Sequence, residues 1–267
     1  MIRIGPFAIK WYGLLVVGGA VLAAYAASRE AQRRGLDPNV AWDMLIWVLF
    51  AGIIGARLYH VFSTPAGGQV GWPYYKEHPL EAFKIWQGGL AMYGAIAGGV
   101  IGVALYTWRE RLDLLTWLDI AFPTVLLAQA IGRWGNFVNQ EVYGYPTDLP
   151  WAIYIPPEKR LPGLEQYDRF HPVFFYESMW CLAGFLVLTW VARRFEGRLL
   201  KGDMTALYFV WYPIGRTLTE SLRPDAWRID GIPTAQIISV AAAVLATAIV
   251  VLRHSVLKPK AEVSGSH

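Results

Sequence analysis

The chain has 267 residues, 55% of them hydrophobic and 16% charged, with a net charge of +4 and a single cysteine, Cys181. Soluble domains of this size carry about 45–50% apolar and about 25% charged residues. The balance therefore excludes a disulfide scaffold, a disordered chain and a nucleic-acid binder, and points to a polytopic membrane protein.

Seven apolar stretches, at 10–28, 41–62, 88–107, 112–131, 174–192, 203–222 and 235–253, come close to the length that crosses a bilayer. The predicted fold is all-α, with seven transmembrane helices. The first stretch follows a weakly basic start and reads as a retained helix rather than a cleaved signal. The third carries Gly94, Gly98 and Gly102, a small residue every four positions, which suits close approach of another helix. The segments 63–87 and 132–173 are too long for simple connectors and are expected to build a small outer cap with arm segments. Within the second, alternation over Trp151–Ile155 suits a short strand. The whole chain, 1–267, is expected to form one membrane-embedded domain, with 254–267 as a cytoplasmic tail. Lys and Arg are more than twice as dense in 29–40, 108–111, 193–202 and 253–267 as in the remaining connections. That bias puts the N-terminus outside and the C-terminus in the cytoplasm. Trp11, Trp86, Trp108 and Trp134 fall near predicted span ends, as in an interfacial belt.

Ionisable side chains inside a membrane cost about 2.5–3.5 kcal/mol each on insertion scales and usually face a partner or a cavity. Asp43, Arg57, Asp119, Glu177, Arg216 and Glu220 lie within predicted spans, and Arg133 lies where the fourth ends. One reading is that they pair with one another or sit at the interface. The other is that some of them form a site. Tyr212, Arg216, Glu220 and Arg223 share one helical face. Guanidinium stays protonated and grips phosphate oxygens with paired hydrogen bonds.

The segment Gly132-Arg-Trp-Gly-Asn-Phe-Val-Asn-Gln-Glu-Val-Tyr-Gly144 sets Arg133, Asn136, Asn139, Gln140 and Glu141 at a membrane boundary. An interfacial turn with satisfied amides would account for it, and so would an anionic headgroup site shared with Arg216. No His-Glu-x-x-His pair, Cys/His cluster or phosphate loop occurs, so neither metal nor cofactor is expected. Cys181 lies among apolar neighbours and reads as a structural thiol. An acceptor nucleophile would then belong to a second substrate.

The same segment resembles the prolipoprotein diacylglyceryl transferase signature G-R-x-G-N-F-x-N-x-E-x-x-G and meets every fixed position. Trp11-Tyr12-Gly13, Gly55-Ala-Arg-Leu-Tyr59, His171-Pro-Val-Phe-Phe-Tyr-Glu-Ser178 and the run from Arg216 through Glu220 and Arg223 to Asp225 are similar to further family motifs, in family order. At the position where relatives often have His in G-G-x-x-x-H-G, this chain has Tyr93. A phenol near pKa 10 is a poor base at neutral pH, though it can donate a hydrogen bond.

The resemblance implies a metal-free enzyme of the bacterial inner membrane. It would move the diacylglyceryl group of phosphatidylglycerol to the lipobox cysteine of a prolipoprotein signal peptide, forming a thioether and releasing glycerol phosphate. On this reading Arg133 and Arg216 hold the phosphate, and Asn136 and Asn139 orient the headgroup. Glu141 or Glu220 locks an arginine, and either could take the thiol proton. Tyr12, Tyr93 and Tyr212 line the pocket. Gly144 and Arg223 count among the substrate-binding positions, and His171 and Glu177 support the cap. The competing readings are a non-enzymatic phospholipid flippase and a seven-helix receptor or structural protein.

Overall fold

A computed structural model describes residues 2–4, 7–9, 11–63 and 71–256. Each of the seven apolar stretches is a helix: α1 Trp11–Arg33, α2 Asn39–Phe62, α4 Met92–Arg109, α5 Leu114–Asn139, α6 Val173–Arg194, α7 Asp203–Glu220 and α8 Thr234–Val256. Short α3, Trp72–Glu77, precedes α4. The described residues also form short 3-10 turns and three two-stranded antiparallel ribbons, β1 Ile2–Ile4 with β2 Phe7–Ile9, β3 Ile153–Tyr154 with β4 Arg169–Phe170, and β5 Arg228–Ile229 with β6 Ile232–Pro233. The protein is all-α and multi-pass. Of the described helices, α1, α2, α5, α6 and α8 are long and apolar enough to cross a membrane, while α4 and α7 are 18 residues each. On α8 the side chains of Ile238, Val244, Leu245 and Leu252 are exposed, as a helix bathed in lipid requires.

The chain forms two compact units, Ala27–Trp117 and Met1–Ala26 with Leu118–His267. In the first, α2 and α4 cross in close contact. Gly55 and Gly94 each lie against the other's carbonyl oxygen, Gly98 lies against Ala51 O, and a Cβ at Gly102 would come within 2.9 Å of Trp47 O. The glycine stripe thus does the packing work read from its spacing. Arg57, buried on α2, donates to the carbonyls of Ala82 (2.7 Å), Glu81 (2.6 Å), Gly88 (2.8 Å) and Gly89 (3.1 Å), and its guanidinium lies over the Tyr75 ring. Gly88 and Gly89 have φ of 99° and 74°, a conformation that brings their carbonyls onto Arg57 without a Cβ penalty. Asp43 accepts a long hydrogen bond from the Tyr106 hydroxyl at 3.4 Å.

In the second unit α5, α6 and α7 enclose a core of Leu126, Ala130, Cys181, Leu188, Met204 and Tyr208. Gly19 of α1 approaches the Ala128 backbone of α5. Asp119, an acid within α5, accepts from Gly202 N (2.5 Å), Thr205 N (2.9 Å) and Thr205 Oγ1 (2.8 Å). It therefore caps the N-terminus of α7 from another helix, which neutralises its cost as a buried acid. Between α6 and α7, Trp180 and Trp211 stack. Each indole N–H donates to the other residue's carbonyl, at 3.0 and 3.1 Å, and the rings seat on Gly215 and Gly184.

The segment after α5 has its own small core of Tyr143, Ile155 and Phe170, with β3 falling within the alternating Trp151–Ile155 stretch. The Tyr143 hydroxyl donates to Lys159 O (2.9 Å) and accepts from Leu161 N (2.7 Å). Burial raises its pKa above 10. Helix α5 continues to Asn139, past the expected end near residue 131, so the first part of the expected cap is helical. Part of 63–87, residues 64–70, lies outside the described residues. So does 257–267 of the expected tail, while α8 itself continues to Val256.

Candidate active site

Because α5 continues through the signature, Arg133, Asn136 and Asn139 recur every three residues along one side of it. The helix ends as Gln140 (φ 55°) and Val142 (φ 58°) take left-handed conformations. This turn folds Glu141 back, so that its Oε1 accepts from Asn136 Nδ2 (3.0 Å) and Asn139 Nδ2 (3.1 Å). The amides and the acid form one exposed polar cluster at the helix end. Glu141 thus holds two asparagines rather than an arginine. Tyr12 of α1 lays its ring on Gly135, which has no side chain to obstruct it.

Arg133 and Arg216 converge. Arg133 Nη1 lies 2.8 Å from Glu177 Oε2, and Arg216 Nη1 donates to Glu177 Oε1 at 2.7 Å. Thr219 Oγ1 donates to the same Oε1 at 3.1 Å. Arg133 Nη2 donates to the Tyr212 hydroxyl at 3.3 Å. One turn earlier on both helices, Gln129 Nε2 donates to the Tyr208 hydroxyl at 2.9 Å, and the rings of Tyr208 and Tyr212 stack in parallel. These two rungs join α5 to α7. Ser178 joins α6 to α5, accepting from Trp134 Nε1 (3.2 Å) and donating to Ala130 O (2.8 Å).

The second carboxylate of α7, Glu220, pairs with Arg216 and lies 3.7 Å from Arg223, which also forks onto Asp225 at 3.0 and 2.7 Å. Burial works against the Arg223 charge, but the Asp225 bond and the charges of Asp225 and Glu220 outweigh it and raise its pKa above the ordinary arginine value. The chain of charges reads Arg133, Glu177, Arg216, Glu220, Arg223, Asp225, with the sign alternating at every step. Glu177 and Glu220 are 4% and 3% exposed. Arg133, Glu177, Trp180, Cys181, Tyr212, Gly215 and Arg216 line a cavity of about 10 Å³, room for about one water molecule.

The structure thus brings together Arg133, Arg216, Tyr212, Glu220 and Arg223, and separately Asn136, Asn139 and Glu141. Of the two acids expected to lock an arginine, Glu220 does so. Gly144 is buried in a corner made by His171, Val173 and Leu222. Its N–H donates to His171 O at 2.9 Å, and the next N–H, that of Tyr145, to Leu222 O at 2.9 Å. A Cβ there would clash, which explains why glycine stands at that position. His171 holds the segment after α5 through backbone pairing alone, its N–H donating in turn to Tyr145 O at 3.1 Å. Tyr93 belongs to the other unit, where it is 74% exposed near the Tyr59 ring. Glu177, expected among the cap residues, is instead the hub of the arginine cluster. The available signal was an acid inside the fifth apolar stretch, on a helix whose other charged residues, Arg193 and Arg194, lie in its last turn. Among the described residues no group of three or more His, Cys, Asp or Glu side chains is placed to hold a metal.

Apolar helices enclosing paired guanidiniums define a multi-pass membrane protein with a built anion-type cluster. A family-wide sequence profile described as prolipoprotein diacylglyceryl transferase matches residues 1–252. The phosphatidylglycerol–prolipoprotein diacylglyceryl transferase of Synechococcus elongatus is 40% identical over 91% of this chain and 82% of its own length. The protein so named from Synechocystis sp. is 39% identical over 93% and 86%. That from Leifsonia xyli subsp. xyli is 42% identical over 95% and 78%. The chain belongs to the prolipoprotein diacylglyceryl transferase family.

Proposed function

We propose that this protein transfers the diacylglyceryl group of phosphatidylglycerol to the lipobox cysteine thiol of a prolipoprotein signal peptide in the bacterial inner membrane. Its N-terminus lies outside and its C-terminus in the cytoplasm. The observation that carries the reading is the convergence of Arg133, Arg216 and Tyr212 from two helices, with Arg133 inside the family signature.

In the reaction the thiol loses its proton. Its sulfur attacks the glyceryl carbon that bears the phosphoester oxygen, and a C–S bond forms as the C–O bond breaks. The electron pair of the broken bond leaves on the phosphate oxygen, giving glycerol phosphate. Negative charge grows on that oxygen in the transition state, so guanidiniums that grip it bind the transition state more strongly than the lipid. Arg133 and Arg216 fill this role. Asn136 and Asn139, braced by Glu141, orient the glycerol headgroup. Glu141 is exposed and holds no arginine, which makes it the better proton acceptor; Glu220 is committed to Arg216 and Arg223. Tyr12 and Tyr212 supply the walls. Tyr93 as a hydrogen-bond donor to the lipid is carried by the resemblance alone.

The test is purified protein in phosphatidylglycerol vesicles with a cysteine-bearing signal peptide. Thioether product and glycerol phosphate are expected in equal amounts. Lipid scrambling without glycerol phosphate would select the flippase, and ligand binding without either would select a receptor.

A further inference from the structure

Glu177 belongs to none of the roles above, and yet both arginines meet on it. Its two oxygens are divided between them, one to Arg133 at 2.8 Å and one to Arg216 at 2.7 Å. A phosphodiester would offer its two non-bridging oxygens to the same pair. We propose that Glu177 is an internal counter-anion that occupies the phosphate position until the lipid arrives, and that the lipid binds by exchanging with it. The proposal rests on the reading of Arg133 and Arg216 as the phosphate clamp.

Three observations carry it. The cavity at the cluster has room for about one water, so a phosphodiester enters only if a side chain moves. The cluster is already balanced: the guanidiniums of Arg133, Arg216 and Arg223 face the carboxylates of Glu177, Glu220 and Asp225. Adding an anion without displacing one would leave net negative charge in a low-dielectric site. Finally, Glu177 is held unevenly. Oε1 accepts an aligned bond from Arg216, with the single Thr219 hydroxyl proton shared between it and Gly215 O, whereas Oε2 touches Arg133 without an aligned hydrogen bond. The exchange therefore opens at Arg133 and is complete when the carboxylate has left Arg216 as well. Bare guanidiniums at membrane depth would be costly. The carboxylate keeps them in register, excludes soluble phosphate, and on its return competes with the departing glycerol phosphate for Arg133.

Glu177 is on this account a positioning residue, and its signature is a divergence of KM from kcat. In detergent micelles with dilute phosphatidylglycerol, Glu177→Gln is expected to lower KM about tenfold, the weight of one charge-assisted hydrogen bond. Inhibition by glycerol phosphate should tighten by a similar factor, and kcat should fall as product leaves more slowly. An unchanged or raised KM in Glu177→Gln overturns the proposal. Glu177→Asp, too short to reach both arginines, provides the same readout if the glutamine variant does not accumulate. The wild-type protein supplies a third measurement. Adding glycerol phosphate should change the infrared carboxylate band of an arginine-paired acid, and a flat difference spectrum overturns the exchange. Arg133→Gln separates the two readings: if it binds glycerol phosphate as well as wild type, the clamp itself fails rather than the exchange.

Discussion

Two arginines on spanning helices, Arg57 and Arg133, meet membrane depth in opposite ways. Arg57 spends its guanidinium on four backbone carbonyls of the 81–89 segment, and no carboxylate side chain takes part in those bonds. Arg133 touches side chains instead, Glu177 and Tyr212. Carbonyls bound into a turn cannot leave without unfolding it, so Arg57 is a staple. A carboxylate on a side chain can rotate away, so Arg133 keeps an exchangeable partner. The nature of the partner, more than burial, separates a structural buried charge from one that can serve a ligand.

The comparison can be broken most directly at Arg133. Arg133→Ala should lower thioether formation about 10²–10³-fold, the usual weight of one transition-state donor, while the protein still accumulates in membranes. Arg133→Lys should also be poor, because an ammonium does not reproduce the planar fork. Near-normal turnover in Arg133→Ala would remove the clamp, and full activity in Arg133→Lys would remove the geometric part of the argument. Arg57→Ala should show the reverse pattern. Leaving its carbonyls unsatisfied should cost about 3 kcal/mol or more, read as earlier thermal unfolding in detergent. A stable but inactive Arg57→Ala would erase the distinction.

Smaller effects sharpen the same contrast. Glu141→Gln should reduce kcat about tenfold or more if Glu141 takes the thiol proton, read in the vesicle assay with the signal peptide. Tyr93→Phe should cost roughly the worth of one neutral hydrogen bond, about fivefold in kcat/KM. At the cap, the raised pKa of Tyr143 means that the unfolded chain loses this proton first as pH rises. Its contribution is complete below pH 10 and declines above it. Tyr143→Phe should abolish that alkaline decline, measured by unfolding of the protein across pH 9–11, at a cost of about 1 kcal/mol at neutral pH.

Much of this was legible before any fold was known. The apolar stretches became the seven long helices, and the Gly94, Gly98, Gly102 stripe became the α2–α4 contact. Arg216 and Glu220 paired as their four-residue spacing requires. The partners of isolated charges were not legible. Asp119 caps α7 from 83 residues away in sequence, and Glu177 reaches Arg216 across 39. Glu141 faces two asparagines because Gln140 and Val142 turn left-handed, a choice that their residue types do not announce.

The primary structure alone determined what depends on near neighbours along the chain: spans from runs of apolar residues, shared faces from helical periodicity, and family membership from an ordered set of motifs. Tertiary structure alone decided which acid neutralises which arginine. A helix turn brings residues three and four apart together whatever else happens. An unpaired charge in an apolar interior, by contrast, takes whichever opposite charge helix packing delivers, and packing is a property of the whole fold. That is why a glutamate expected beneath the cap turned out to sit between Arg133 and Arg216.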